Sequence, residues 1–135
     1  MSNFFLELVS PDNNYFVGNV DMVVLPGEEG DFSVLFDHAP IITFLRPGRV
    51  LIIEETGKEH LFFVASGFVK VDNNKCHVMV DYIKERSELD DKSSRDELSD
   101  TLSQIESEKD ENSLDKLFDK KLVLEEQLSF IENYN

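Results

Sequence analysis

"LPGEEGDFSVLFDHAPIITFLRPGRV", residues 25–50, holds three of the chain's four prolines and three of its six glycines. Between these breakers lie short runs rich in Val, Ile and Phe, and the same pattern of short apolar runs and turn residues continues outward in both directions to about residue 84. That spacing predicts a β-sandwich of about eight to ten strands. The candidates are FFLELVS, YFVG, VDMVVL, DFSVLF, IITF, RVLIIEE, HLFFVAS, FVKVD and KCHVMVDY. PDNN, ETGK and DNNK connect them with residues suited to tight turns. Val69 and Val71 alternate with Lys70 and Asp72, and Cys76, Val78 and Val80 with His77, Met79 and Asp81, so these strands bury one face and wet the other. Phe4, Phe5, Phe32, Phe36, Phe44, Phe62, Phe63 and Phe68 read as core rather than as stacking platforms.

Past Ile83 the period changes. Hydrophobic residues number 41 in residues 1–84 and 14 in residues 85–135, while the charge goes from −6 (6 Lys/Arg, 12 Asp/Glu) to −9 (7 against 16). Leu98, Leu102 and Ile105 recur at helical spacing after a capping box at Ser94 and Glu97. Leu114, Leu117, Leu124, Leu128 and Ile131 do so after a cap at Asn112, with Lys121 interrupting the stripe and Phe118 and Leu122 widening it. The short polar stretch SEKDEN between them predicts an antiparallel helical hairpin. The fold class is therefore α+β: an antiparallel sandwich over residues 1–84, then a hairpin over residues 85–135.

The net charge of −15 opposes contact with nucleic acid. One cysteine, Cys76, allows no internal disulfide and fits a reducing compartment. The opening MSNFFLELVSPD has neither a basic region nor a long apolar run, so neither a signal peptide nor membrane insertion is expected. PGEEGDF lacks the Lys and Ser/Thr of a phosphate loop and places Glu28, Glu29 and Asp31 where anions would sit; it reads as an exposed turn or a recognition loop. His38 has carboxylates nearby but no nucleophile with an evident place beside it, so no catalytic residue is assigned. Cys76 and His77 face opposite sides of one strand, and the acidic runs lack calcium-loop spacing; no metal site or cofactor is expected.

The run Leu25-Pro26-Gly27, Gly30, His38-Ala39-Pro40, Thr43 and Pro47-Gly48 with Val50, together with ASGFVKVDNN, resembles the epsilon subunit of bacterial and plastid F-type ATP synthases. The order of sandwich then hairpin resembles it across the whole chain. The resemblance implies a non-catalytic rotor subunit on the cytoplasmic face of the bacterial inner membrane, coupling the c-subunit ring to the gamma subunit. By motif position, Glu29, Gly30 and Asp31 would meet the c-ring, and His38, Ala39 and Pro40 the gamma side. The family's hairpin either folds down or extends along gamma into the catalytic alpha/beta head, where it inhibits ATP hydrolysis. The charge of −9 here, with Lys116, Lys120 and Lys121 as the one basic cluster, predicts weak or salt-dependent inhibition. Some members bind ATP through Ile/Leu-Asp-x-x-Arg-Ala; in Leu89-Asp90-Asp91-Lys92-Ser93-Ser94 the Arg and Ala are both Ser, which leaves Leu89 and Asp90 with nearby Arg95 as a weak nucleotide site. The alternative reading is an acidic β-sandwich that binds a nucleotide as a sensor module.

Overall fold

A computed structural model of the chain describes residues 3–134. It divides into two compact units, Met1–Glu85 and Arg86–Asn135. The first is built from eight strands: β1 (Phe4–Val9), β2 (Asn14–Val20), β3 (Met22–Gly27), β4 (Gly30–Val34), β5 (Ile41–Leu45), β6 (Gly48–Ile53), β7 (Glu59–Asp72) and β8 (Lys75–Glu85). The hydrogen-bonded order is β2-β1-β8-β7-β5-β3-β4, with β6 pairing to β3 and β7. All pairs are antiparallel except β1 with β8.

HLFFVAS and FVKVD, expected as two strands, are one strand of 14 residues. Its first half pairs with β6 and its second half with β5, so it serves both layers of the sandwich. The change occurs at Ser66, whose φ of 61° lies in the left-handed region. Before it Phe62 and Val64 point into the core; after it Val69 and Val71 do. The side-chain phase thus slips by one residue, and β8 slips with it, from Cys76, Val78 and Val80 to Ile83. Ser66 Oγ donates to Asp81 Oδ2 (3.1 Å), tying the two strands at the slip. The next residue must be glycine, because a Cβ on Gly67 would overlap the Met79 carbonyl oxygen. Asn73 and Asn74, both at positive φ, make the two-residue turn into β8.

The core joins both layers through Leu6, Leu8, Val23, Leu25, Ile52 and Val78, all at 0% exposure. Of the eight phenylalanines expected there, Phe4, Phe62 and Phe63 are buried, and Phe5 and Phe32 are half-buried. Phe36, Phe44 and Phe68 are exposed. For Phe68 the cause is the slip at Ser66: unbroken alternation from Phe62 would turn it inward, and the slip turns it out.

The second unit begins with a 3-10 turn (Arg86–Glu88), followed by α1 (Asp91–Ser107) and α2 (Glu111–Asn133). Both caps differ from the expected Ser94 and Asn112. Asp90 Oδ2 accepts from the Ser93 amide (2.8 Å), and Asp110 Oδ2 accepts from the amide (3.0 Å) and hydroxyl (2.9 Å) of Ser113. Ser94 instead lies inside α1, buried, and accepts a hydrogen bond from Gln127 Nε2 (2.9 Å). This bond joins the start of α1 to the end of α2, as an antiparallel hairpin requires. The inward face of α1 is Ser94, Leu98, Thr101 and Ile105, with Leu102 exposed. On α2, Leu124, Gln127, Phe130 and Ile131 are buried, while Phe118 and Leu122 stand in solvent rather than widening the buried stripe.

Candidate functional site

Two surfaces of the sandwich are shaped in ways its own stability does not require. The first is the β3–β4 hairpin tip. Gly27 pairs with Gly30, leaving Glu28 and Glu29 as the two-residue turn. Gly30 takes a φ of 140°, and a Cβ on Gly27 would sit 2.8 Å from the Gly30 oxygen and the Phe32 ring, so both positions need glycine. The Glu28 amide donates to the Phe44 carbonyl and the Arg46 amide to the Pro26 carbonyl (both 2.9 Å), which fixes the tip against β5. The Arg46 guanidinium pairs with Asp31. Of the three acidic residues displayed here, Asp31 is therefore neutralised within the chain, and Glu28 and Glu29 carry the tip's exposed charge. A shallow depression beside the tip is lined by Gly27, Glu29, Gly30, Phe32, Ile41 and Thr43 with Asp31.

His38, Ala39 and Pro40 lie beyond the other end of β4, in the loop entering β5. The His38 ring sits 6.3 Å from that of Phe32, and its Nδ1 lies 2.7 Å from the Ala39 oxygen. Asp37, at a φ of 63°, is clamped to Asn74 by two hydrogen bonds, Asp37 N to Oδ1 (2.7 Å) and Nδ2 to Asp37 Oδ1 (3.1 Å). The two residue sets singled out from the sequence are thus held at opposite ends of one strand.

The second surface went unrecognised in the sequence. Ile42, Phe44 and Phe68 are 72%, 67% and 39% exposed on the outer side of β5 and β7, where Phe44 and Phe68 are direct cross-strand partners. Pro40 adjoins this strip, sharing a depression with Ile41, Ile42, Lys70, Val71 and Asp72. Isolated exposed apolar residues are ordinary, but three adjacent large ones mark a surface made to be covered. Ile41-Ile42-Thr43-Phe44 carried no signal for it, because the one polar residue, Thr43, lies on the half-buried side and the apolar Ile42 and Phe44 face out.

At the start of the hairpin, Leu89 is 8% exposed, and its carbonyl accepts from Arg86 Nη1 (2.9 Å). Asp90 is committed to its cap: the Ser93 amide, then the Ser93 hydroxyl, hold its carboxyl below the ordinary range. Arg95 Nε donates to Asp91 Oδ2 (2.9 Å), and this carboxylate raises the guanidinium's pKa further. The Ser93 amide at this helix start is therefore met by the chain's own carboxylate rather than left for a phosphate. Among the described residues no group of His, Cys, Asp and Glu could hold a metal ion, and no helix is long and apolar enough to cross a membrane.

Residues 3–86 match the family model of the β-sandwich domain of the ATP synthase delta/epsilon chain. The chain is 38% identical over 110 residues to the ATP synthase epsilon chain of Maricaulis maris, with 82% of each covered. This chain belongs to the ATP synthase epsilon family. To the epsilon chain 1 of Nitrobacter hamburgensis it is 37% identical over 123 residues, covering 89% of this chain and 87% of that one. Among solved structures, it superposes on a chain of the Euglena gracilis mitochondrial ATP synthase (OSCP/F1/c-ring) with a TM-score of 0.86 and 19% identity, covering 97% and 82%. The likeness to a chain of the Tetrahymena thermophila central stalk and c-ring has a TM-score of 0.53 at 20% identity, covering 62% and 67%. At those identities the structural likenesses speak for the fold, and the epsilon sequences for the family. As an epsilon chain it is a subunit of the synthase other than a catalytic one.

Proposed function

We propose that this epsilon chain is the coupling element of the rotor, with its sandwich seated between a gamma-type subunit and the c-subunit ring on the cytoplasmic side of a bacterial membrane. The observation that carries the reading is the exposed Ile42–Phe44–Phe68 strip, adjacent to Pro40 at the motif positions assigned to the gamma side. Covering it would remove apolar area from water, the dominant favourable term in association. The tip at Glu29, Gly30 and Asp31 is the c-ring contact; with Asp31 paired to Arg46, its charge fixes register more than affinity. The test is co-purification: the full-length chain co-expressed with a gamma-type subunit should elute as one complex, and failure to associate would remove the proposal.

The hairpin is a regulatory arm that reaches the catalytic head when extended and slows ATP hydrolysis there, weakly and in a salt-dependent way, because residues 85–135 carry −9. Hydrolysis by the assembled complex would be compared between the full chain and one ending at Lys84, at low and high salt. Strong activation by truncation at every salt concentration would refute the charge argument. Nucleotide sensing at Leu89, Asp90 and Arg95 is the second reading, and the commitment of Asp90 and Arg95 to Ser93 and Asp91 disfavours it. Calorimetric titration of the chain with Mg-ATP separates the two, since micromolar binding would restore the sensor role.

A further inference from the structure

The outer face of β5, β7, β8 and β1 is ordered in rows by strand register. Phe44, Phe68 and Met79 form one row, and Ile42, Lys70, His77 and Glu7 form the next. Lys75, paired across the strands with Asp72, follows. Lys70, Lys75 and His77 line a single depression with Asp72 and Asn73, and Lys70 also borders the depression that contains Ile42. An apolar strip thus runs directly into a pair of ammonium groups.

The depression has one carboxylate among its lining residues, that of Asp72, against two lysines. The Glu7 carboxylate lies 3.8 Å from His77 Nδ1. Among the described residues neither Lys70 nor Lys75 has a carboxylate within ion-pair distance. The sandwich has only six Lys and Arg before residue 85 against twelve acidic residues, so two unpaired lysines at the end of its most exposed apolar strip are a conspicuous use of scarce positive charge. A partner lying over Phe44 and Phe68 strips water from the neighbouring ammonium groups, and burying such a charge without a counter-charge opposes association. We infer that the gamma segment seated on this face carries a carboxylate that enters the depression between Lys70 and Lys75, beside the Ile42–Phe44–Phe68 strip. The inference rests on the docking reading above and adds the chemistry of the occupant.

The test uses the full-length chain in complex with a co-expressed gamma-type subunit. Zero-length carbodiimide coupling joins an amine to a carboxylate already in contact, so mass spectrometry should find an amide between Lys70 or Lys75 and an Asp or Glu of gamma, absent in the Lys70→Gln/Lys75→Gln variant. Lys70→Glu and Lys75→Glu should each raise the Kd for gamma by roughly tenfold or more. If neither reversal alters affinity and no coupling occurs at these lysines while Phe44→Ala weakens the complex, the face stands and the carboxylate is overturned. If Phe44→Ala also leaves affinity unchanged, the docking reading falls with it.

Discussion

Truncating Phe44 to alanine should weaken association with gamma far more than it weakens the fold. A phenylalanine presents about 200 Å² of surface, and Phe44 is 67% exposed, so roughly 130 Å² is free to be covered by a partner. At about 25 cal/mol per Å² that area is worth about 3 kcal/mol, on the order of a hundredfold in Kd. The third already buried in the sheet is about 70 Å², so the cost to folding should stay below about 2 kcal/mol. Calorimetry or surface plasmon resonance with a purified gamma-type subunit gives the first quantity, and urea denaturation of the isolated chain the second. A Kd within about twofold of wild type, with the fold intact, would refute the claim that this strip is covered in the assembly. A folding loss as large as the binding loss would show instead that the strip is part of the sandwich's own core.

Gly67→Ala should destabilise the sandwich by about 3 kcal/mol, read as a lower urea midpoint at unchanged slope, because the new methyl meets the backbone oxygen of Met79 rather than a side chain that can yield; a loss under about 1 kcal/mol would mean the strands part easily there. Burial pushes the Cys76 thiol up to about 12, so it should stay protonated and unreactive toward a disulfide reagent at neutral to mildly alkaline pH, reacting only as fast as the sandwich opens; rapid labelling of the native chain would contradict the assigned core. The Asp90 carboxyl is held below its ordinary value by the Ser93 amide. Its contribution to the hairpin is therefore complete above the unfolded carboxylate pKa of about 4 and is lost as pH falls through the lower folded value. Far-ultraviolet circular dichroism should find Asp90→Asn less helical or more easily melted than wild type at neutral pH, with the difference closing in strong acid. A difference that persists there would assign the effect to packing rather than to charge.

Much of this architecture could be read from residue order because the relevant forces are local. The Asn73-Asn74 turn, the alternation of Val69 and Val71 with Lys70 and Asp72, and the change of period after Ile83 each depend on a few neighbouring residues. What escaped was set by longer-range choices. Asp90 rather than Ser94 caps α1 because Ser94 has a buried partner, Gln127, 33 residues away. Phe44 and Phe68 were expected inside on composition alone, yet both face out, and for Phe68 the side is decided by one backbone conformation, at Ser66. The tip at Glu28 and Glu29 was legible as an exposed acidic turn; that Asp31 is withdrawn from it by Arg46, 15 residues on, was not.

The coupling role proposed above would require a sandwich that does not shear between its layers. Two sheets held together only by side-chain packing can slide, since dispersion contacts are individually weak and reform after a small step. Here β7 crosses from one layer to the other in a single covalent run, with Phe68 on the outer face after the crossing and Phe62 and Val64 in the core before it. A sideways load on the face at Phe68 is thus taken up by peptide bonds and by the β8 ladder alongside them before the packing between layers must bear it. The crossing at Ser66 stiffens the sandwich against sliding of one layer over the other, and stiffness at that point is a mechanical property distinct from thermodynamic stability.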